Sequence, residues 1–435
     1  MTAEVSLPLT KEDLTRFSTD RQEPKWFADL RLSAFEKAME LELPKPDKTN
    51  ITKWNFTSFS TVSGVDAENA YGSLSEAEQT LSGEEASIGN LAVQKNGETR
   101  YLSLTEDLKA KGVIFTDIQT ALREHSDLVE KYFMQDAVNV NENRMTALHA
   151  AALNGGVFIY IPKDLEVTEP LQTIFTHAGD YGLFNHVLIV AEANSKMTYV
   201  ENYLSEGSKE NAFVNIIAEV YVADGAEIRF GAVDNLSENV TTYVNRRGQV
   251  AGRDAQLYWA LGQMNDGNTV SENTTYLVGQ GSRGDAKTVV IGRGSQVQNF
   301  TTNLVHFGKN SDGHILKHGV MKDSATSIFN GVSKIEHGAT KANSEQTERV
   351  LMLSRKARGD ANPILLIDED DVTAGHAASV GKIDPVQMFY LMSRGLKKIE
   401  AERLIIHGFL NPVVSALPID SVKEQLFDVI ERKVY

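Results

Sequence analysis

The feature that most constrains this chain is a degenerate repeat in its middle third. A turn residue, a small residue and an extended run recur at Gly225-Ala226-Glu227-Ile228, Asp254-Ala255-Gln256-Leu257, Asp285-Ala286-Lys287-Thr288 and Asp312-Gly313-His314-Ile315, with starts 29, 31 and 27 residues apart. A second strand-like element falls between them, at Asn239-Val240-Thr241-Thr242-Tyr243-Val244, Asn273-Thr274-Thr275-Tyr276-Leu277-Val278 and Asn299-Phe300-Thr301-Thr302-Asn303-Leu304-Val305. Two alternating strand types at a spacing of roughly 20–50 residues indicate a solenoid or propeller. No Trp-Asp or kelch signature supports a propeller. A parallel β-helix fits better, because each coil needs its neighbours to close its apolar face. The competing reading is an antiparallel sandwich whose turns look alike by chance.

Flanking segments have other textures. Val157, Ile159 and Ile161 alternate with Phe158 and Tyr160, and Val187, Ile189 and Ala191 with Leu188 and Val190. Runs apolar at nearly every position predict strands buried on both faces. The first forty residues read as helical, with Thr10 and Asp13 as a capping pair and Pro24 at an N1 position. Trp26, Phe27, Leu30, Ala34, Phe35 and Ala38 then line one helical face, and Pro44 and Pro46 stop it. Residues 58–145 mix short strand-like and acidic helical pieces that predict no architecture. At the other end, Asp384-Pro385-Val386-Gln387 opens a helix and Gly395 closes it. Ile399, Leu404, Ile405 and Leu410 mark a second helix, stopped by Asn411-Pro412, and Ser421-Val422-Lys423-Glu424 opens a third. The expected order is a helical and mixed region over 1–150, a parallel β-helix core over 151–383 and a helical region over 384–435.

Composition excludes several functions. The 435 residues carry 43 Lys and Arg against 59 Asp and Glu, a net charge of −16. That balance argues against nucleic acid or an anionic membrane as the main partner. There is no cysteine, so disulfides, thiolate nucleophiles and clusters ligated by this chain's own thiolates are excluded. No window approaches the ~18 apolar residues of a membrane helix, and the amino end lacks the features of a secretory signal. A cytoplasmic protein is expected.

Few residues stand out for chemistry. His314 and His318, four apart on a strand, would sit roughly 13 Å from each other, too far to chelate one ion. With His306 and His337 they read as surface or turn histidines. Gly279-Gln280-Gly281-Ser282-Arg283-Gly284 and Gly292-Arg293-Gly294 lack the Walker pattern and read as solenoid turns. The sequons at Asn239, Asn273 and Asn299 belong to the repeat. Asp368-Glu369-Asp370-Asp371 reads as a solvated acidic loop, although a β-helix enzyme acting on polysaccharide would need gathered carboxylates. His376, in Thr373-Ala374-Gly375-His376-Ala377-Ala378-Ser379, has small neighbours that leave its imidazole accessible; taken alone, it reads as structural.

Several motifs in order change that reading. They are Ile328-Phe329-Asn330-Gly331, Gln346-Thr347, Leu353-Ser354-Arg355-Lys356-Ala357, Asp370-Asp371-Val372, Gly375-His376-Ala377-Ala378, Gly381-Lys382-Ile383-Asp384 and Phe389-Tyr390-Leu391-Met392-Ser393-Arg394-Gly395-Leu396, with Glu400-Ala401. Together they resemble the SufB/SufD family of iron–sulfur cluster assembly scaffolds, and the SufD branch most, over roughly residues 280–412. The resemblance implies a right-handed parallel β-helix flanked by helices and a non-catalytic scaffold in a cytoplasmic complex with SufB and the ATPase SufC. It further implies pairing with SufB through the β-helix, and a SufC-docking region at Met388, Phe389, Leu391, Arg394, Gly395 and Leu396. His376 matches a family histidine at the SufB interface, where it would be an iron ligand of a nascent cluster shared with SufB. No cofactor bound stably by this chain alone, and no other metal site, is expected. The family's SufB cysteine has no counterpart here, which speaks against the SufB-type alternative, and alanine follows His376 where many relatives carry glycine. A β-helix carbohydrate-active enzyme is the alternative from another class, and a homodimer is a possible state of the isolated chain.

Overall fold

The computed structural model describes residues 7–57, 59, 89–206, 211–418 and 420–434. From β4 (Gly155–Ile161) to β19 (Thr373–Gly381) the chain alternates between two sheets. The odd sheet holds β5 (Leu171–Ala178), β7 (Lys196–Glu206), β9 (Glu227–Asn235), β11 (Gln256–Gln263), β13 (Arg283–Gly292), β15 (Asp312–Met321), β17 (Asn343–Met352) and β19. The even sheet holds β4, β6 (Leu183–Ala191), β8 (Ala212–Val222), β10 (Val240–Val250), β12 (Thr269–Leu277), β14 (Val297–His306), β16 (Thr326–Ile335) and β18 (Arg358–Ile367). Successive strands within each sheet are parallel, so each coil gives one strand to each sheet and the fold is a parallel β-solenoid. The antiparallel sandwich is thereby rejected.

The alternation of strand types follows the sequence reading, but its phase does not. Asp254 is the structural equivalent of Gly225, as expected, whereas the next equivalents are Gly281 and Asn310 rather than Asp285 and Asp312. Asn273 and Asn299 likewise fall three residues out of step in the register of β12 and β14. The true marker is a backbone conformation. Asp164, Asn194, Gly225, Asp254, Gly281, Asn310 and Lys341 follow one another along one corner, all at positive φ between 54° and 70°. Gly, Asn and Asp adopt that left-handed geometry at least cost, so chemically different residues serve one turn and no single letter marks it.

Inside the solenoid, side chains stack in columns set by these registers. One column runs Tyr199, Phe230, Trp259, Ala286, Ile315, Gln346, His376. Its neighbour runs Glu201, Ala232, Leu261, Thr288, Lys317, Glu348, Ala378. Early coils pack aromatics, with Tyr199 and Phe230 edge to face at 5.1 Å and Phe230 against Trp259 at 4.7 Å. The same coils bury a three-way ion cluster in which Arg246 donates to Glu201 Oε1 at 2.7 Å and to Asp234 Oδ1 at 2.6 Å. Burial pushes Glu201 up to about 7 against the lowering pull of Arg246.

The amino-terminal end is sealed. The hairpin β1 (Leu91–Lys95) and β2 (Glu98–Ser103) continues the odd sheet, with β1 parallel to β5 and β2 antiparallel to β1. β3 (Ile114–Asp117) runs antiparallel to β4. Between them α3 (Glu106–Ala110) plugs the mouth, with Leu104, Leu108 and Val113 joining the interior cluster of Val157, Leu171 and Phe175. The part of residues 58–145 expected to resist reading thus includes this closure; residues 58 and 60–88 lie outside the described residues.

Helices α1 (Lys11–Asp20), α2 (Lys25–Glu40), α4 (Ile118–Glu124), α5 (Ser126–Tyr132) and α6 (Arg144–Ala152) cover the outer face of the first even strands, where Phe27, Phe133 and Leu148 meet Phe158, Phe184 and Phe213. Thr10 and Asp13 form the expected capping box, while Pro24 is the N-cap of α2 rather than its N1. Arg31 is fully buried there, doubly bonded to Glu23 at 2.6 and 2.7 Å and donating to the carbonyls of Ala151 and Leu153. Beyond α2 a strap crosses later coils: Asn299 Nδ2 donates to Asp47 O and Thr49 Oγ1, each at 2.8 Å, and Lys48 Nζ reaches Asn362 Oδ1 in β18.

The carboxy-terminal helices are α7 (Pro385–Ser393), α8 (Lys398–Val414) and α9 (Asp420–Val434). The last two lie on the outer face of the odd sheet, where Ile406, Leu410, Leu426 and Ile430 meet Val233, Ala260 and Val289. The expected stop at Pro412 fails, because α8 runs two residues further. Proline so close to a helix end disrupts only the last turn, and Ser415 N still closes on Asn411 O at 2.9 Å. Leu426, Val429 and Ile430 are buried as the third helix requires.

Candidate functional site

Among the described residues no cap covers the last coil of the solenoid. Among the described residues β18 and β19 have one strand neighbour each within their sheets, β16 and β17. Most of their side chains are exposed or half-buried, unlike those of every coil behind them. Large apolar groups stand in the open, including Leu366 at 49% and Val380 at 48%. His376 lies in the middle of β19 on the interior side of its column, yet exposed, because no further coil covers it.

Behind His376 the interior is polar. Gln346, its register neighbour, donates through Nε2 to Ile364 O at 2.9 Å. Its Oε1, together with Glu348 Oε1, occupies the space a side chain at Gly331 would take, 2.5 and 2.8 Å from the Cβ position there. A residue other than glycine at 331 would displace both. Lys317 is fully buried and donates to Asn330 O at 2.6 Å and Phe300 O at 3.1 Å, with Glu348 3.8 Å away. Burial lowers the Lys317 ammonium and raises the Glu348 carboxyl, each opposed by its partner's charge. Gln346 and Gly331 stood in the family motifs, but Lys317 and Glu348 were not singled out in the sequence; their signal is polar residues on the interior phase of strands whose other interior positions are apolar.

The open coil offers an imidazole and a fringe of backbone groups, and no thiolate. Among the described residues no group of three or more His, Cys, Asp or Glu side chains gathers to hold a metal ion. A neutral imidazole can supply one nitrogen to a metal, but the remaining ligands of any cluster must come from elsewhere.

Residues 382–384 lead from β19 into α7, which buries none of its residues. Asp384 caps it by accepting from Val386 N at 2.9 Å. Val386 is 71% and Phe389 73% exposed, with Tyr390 and Met392 also in the open. Of the residues expected in a docking region, Phe389, Arg394 and Gly395 are exposed, whereas Met388, Leu391 and Leu396 are half-buried. Arg394 stands over the Tyr390 ring at 5.2 Å, and Gly395 takes the positive φ of 97° that ends the helix. A helix that leaves several large apolar side chains in the open presents a patch of the kind that marks contact sites.

Other candidates take structural places. His306 and His318 are buried rather than at the surface, contrary to expectation: strand alternation turns His306 inward and α8 covers His318. His306 bonds Ser311 Oγ at 2.9 Å and burial lowers it to about 4. His318 Nδ1 lies 2.6 Å from Phe409 O and its ring stacks on that of Phe409. His314 is half-buried beside Asp312, and His337 is exposed. The glycine segments form turns that lead into and out of β13; in the acidic loop Asp368, Asp370 and Asp371 are exposed, while Glu369 is half-buried and accepts from Gly338 N at 2.9 Å. A second buried polar chain went unforeseen. His149 Nε2 meets His186 Nδ1 at 3.1 Å and His186 Nε2 lies 3.2 Å from Glu219. Glu219 also accepts from Met134 N and Val138 N. Burial pushes Glu219 up to about 8 and His186 down to about 3.

Comparison with known proteins agrees with this geometry. Residues 174–409 match the family profile described as SUF system FeS cluster assembly, SufBD core domain, and residues 89–173 match the SufBD protein N-terminal region. The chain is 61% identical over 437 aligned positions, covering all of both chains, to the iron-sulfur cluster assembly protein SufD of Bacillus subtilis. It is 27% identical to SufB of the same organism, over 96% of this chain and 91% of that one. A SufBD family protein of Staphylococcus epidermidis is also 27% identical, over the same shares.

Proposed function

The chain belongs to the SufB/SufD family of iron–sulfur cluster assembly proteins and is most like SufD, and from that premise we propose that it is a non-catalytic scaffold subunit working with two partners. Its open coil pairs with a SufB-type paralogue, and its exposed α7 docks a SufC-type ATPase. The observation that carries this reading is the contrast within one strand stack: among the described residues every coil but the last is covered, and the last exposes apolar side chains and a strand edge without a partner strand around His376. Unpaired edges of this kind invite a further strand.

His376 then contributes an imidazole nitrogen to a nascent cluster whose thiolate ligands belong to the paralogue, since this chain has no cysteine. The cluster is cargo, assembled between the subunits and passed on. ATP binding by the docked ATPase would shift an equilibrium at the pairing interface, which requires that α7 be held differently in the two nucleotide states. Membership of a SufB-type branch is disfavoured by the missing cysteine. A carbohydrate-active role is disfavoured because the run Asp368–Asp371 lies in a surface loop with three of its four carboxylates exposed to solvent.

The test is co-expression with the SufB-type and SufC-type chains of the same genome. The three are expected to purify together, and His376→Ala is expected to leave that assembly intact while lowering activity of cluster-dependent enzymes in cells. Normal activity of those enzymes in a strain carrying only the variant would reject the role of His376. Failure to recover either partner would reject the scaffold.

A further inference from the structure

A ligating imidazole needs more than its metal. The ring nitrogen that does not bind the ion carries an N–H, and in metal sites that N–H is almost always donated to an acceptor, which fixes the tautomer and the ring's orientation. The last coil supplies no such side chain. On the interior side of β19 His376 is flanked by Ala374 and Ala378, and β18 turns Ala361, Pro363 and Leu365 to the same interior. Within this chain the acceptor must come from the coil behind, where the register sets Ser344, Gln346 and Glu348 beneath Ala374, His376 and Ala378.

Two of these three are otherwise engaged. Ser344 Oγ donates to Ser333 Oγ at 2.8 Å. The Glu348 carboxyl belongs to the column of Ala378 and stands 3.8 Å from Lys317 Nζ, drawn toward the ammonium of the coil behind it. Gln346 lies directly beneath His376 at one strand spacing, about 4.8 Å, and is only 2% exposed. Its amide reaches across the interior. Nε2 donates to Ile364 O of β18 at 2.9 Å, while Oε1 lies 2.5 Å from where a Cβ at Gly331 would stand. The tie to Ile364 settles which end of the amide is oxygen, because the reversed amide would set two acceptors against each other. Among the described residues that buried oxygen makes no hydrogen bond, and an orphan acceptor of this kind calls for a partner.

We propose that Gln346 is a positioning residue for His376: its Oε1 accepts the N–H of the ring nitrogen that faces inward, so that the other nitrogen presents its lone pair to iron. The inference rests on the reading of His376 as a ligand given above. Gly331 has a part in it too. The side chain missing there is the space that the amide oxygen occupies, and a larger residue would push the acceptor out of place.

Anaerobic titration of ferrous iron into the purified pair of this chain and its SufB-type paralogue reads the effect directly. Gln346→Met keeps the length of the side chain without either polar atom. It is expected to weaken iron binding about 10–100-fold while the pair still assembles. Gln346→Glu restores an acceptor oxygen and is expected to recover most of that affinity. A purely structural Gln346 would lower the melting temperature of the pair and leave iron affinity alone; that outcome, or no recovery in Gln346→Glu, would overturn the proposal. Gly331→Ala displaces the oxygen and leaves the amide intact, so it is expected to weaken binding about tenfold and takes the place of Gln346→Met should that variant not fold. His376→Ala separates the two readings. If it leaves iron affinity unchanged, the ligand reading itself falls; if it alone weakens binding, only the role of Gln346 falls.

Discussion

At the amino-terminal end of the solenoid β2 and β3 turn antiparallel to their neighbours and α3 fills the mouth with leucine and valine; at the other end β18 and β19 simply stop. Both ends are made of the same kind of strand, so the difference lies in how each hydrogen-bond ladder is ended. The sealed end closes itself with its own residues and surrounds charges such as Arg31 with partners. The open end keeps Gln346 and Glu348 one coil inward and Lys317 two coils inward, and among the described residues its rim strands have no further strand partner. Such a rod has one end committed to stability and one reserved for association.

That contrast is broken most directly at Arg31. Its removal in Arg31→Ala leaves Glu23 buried without its cation, and the unfolding free energy is expected to fall by about 3–5 kcal/mol in denaturant titrations; a loss below ~1 kcal/mol would show that the sealed end is not held this way. Next comes the plug, where Leu108→Ala is expected to cost about 2–3 kcal/mol by opening a cavity. The same change at the other end, Leu366→Ala, should lie within about 0.5 kcal/mol, and equal losses in thermal melts would erase the distinction.

A pH titration sharpens the comparison further. Glu219 sits near about 8 in the folded chain and near ~4.3 when unfolded. The folded protein therefore retains a proton that the unfolded chain has released, and stability falls as pH rises through that window, by up to about 1.4 kcal/mol per pH unit. Glu219→Gln should flatten the decline, most visibly between pH 7 and 8, where Glu201 at about 7 contributes less. An unchanged slope would refute the assignment. The smallest effect is expected at α7: Phe389→Ser should move stability by less than ~0.5 kcal/mol while weakening capture of the ATPase in pull-downs, and full capture would show that this helix face is not the contact.

The alternation of two strand types, the doubly buried strands around residues 157 and 187 and the terminal helices were legible because they rest on apolar period and on caps. The phase of the repeat was not, because its marker is a left-handed backbone angle shared by Asp, Asn, Gly and even Lys341. His376 could be found from its motif, but its exposure depends on the absence of a following coil, which no local pattern encodes.

The strap has a consequence for synthesis. Asp47 O is bound by a side chain 252 residues later, and Lys48 by one 314 residues later. At roughly 5–20 residues per second on the ribosome, these contacts wait on the order of 15–60 s after the segment is made. The strap is therefore a latch that closes late and in two steps: a truncated product lacking its final coil would keep the Asn299 contacts and lose that of Lys48.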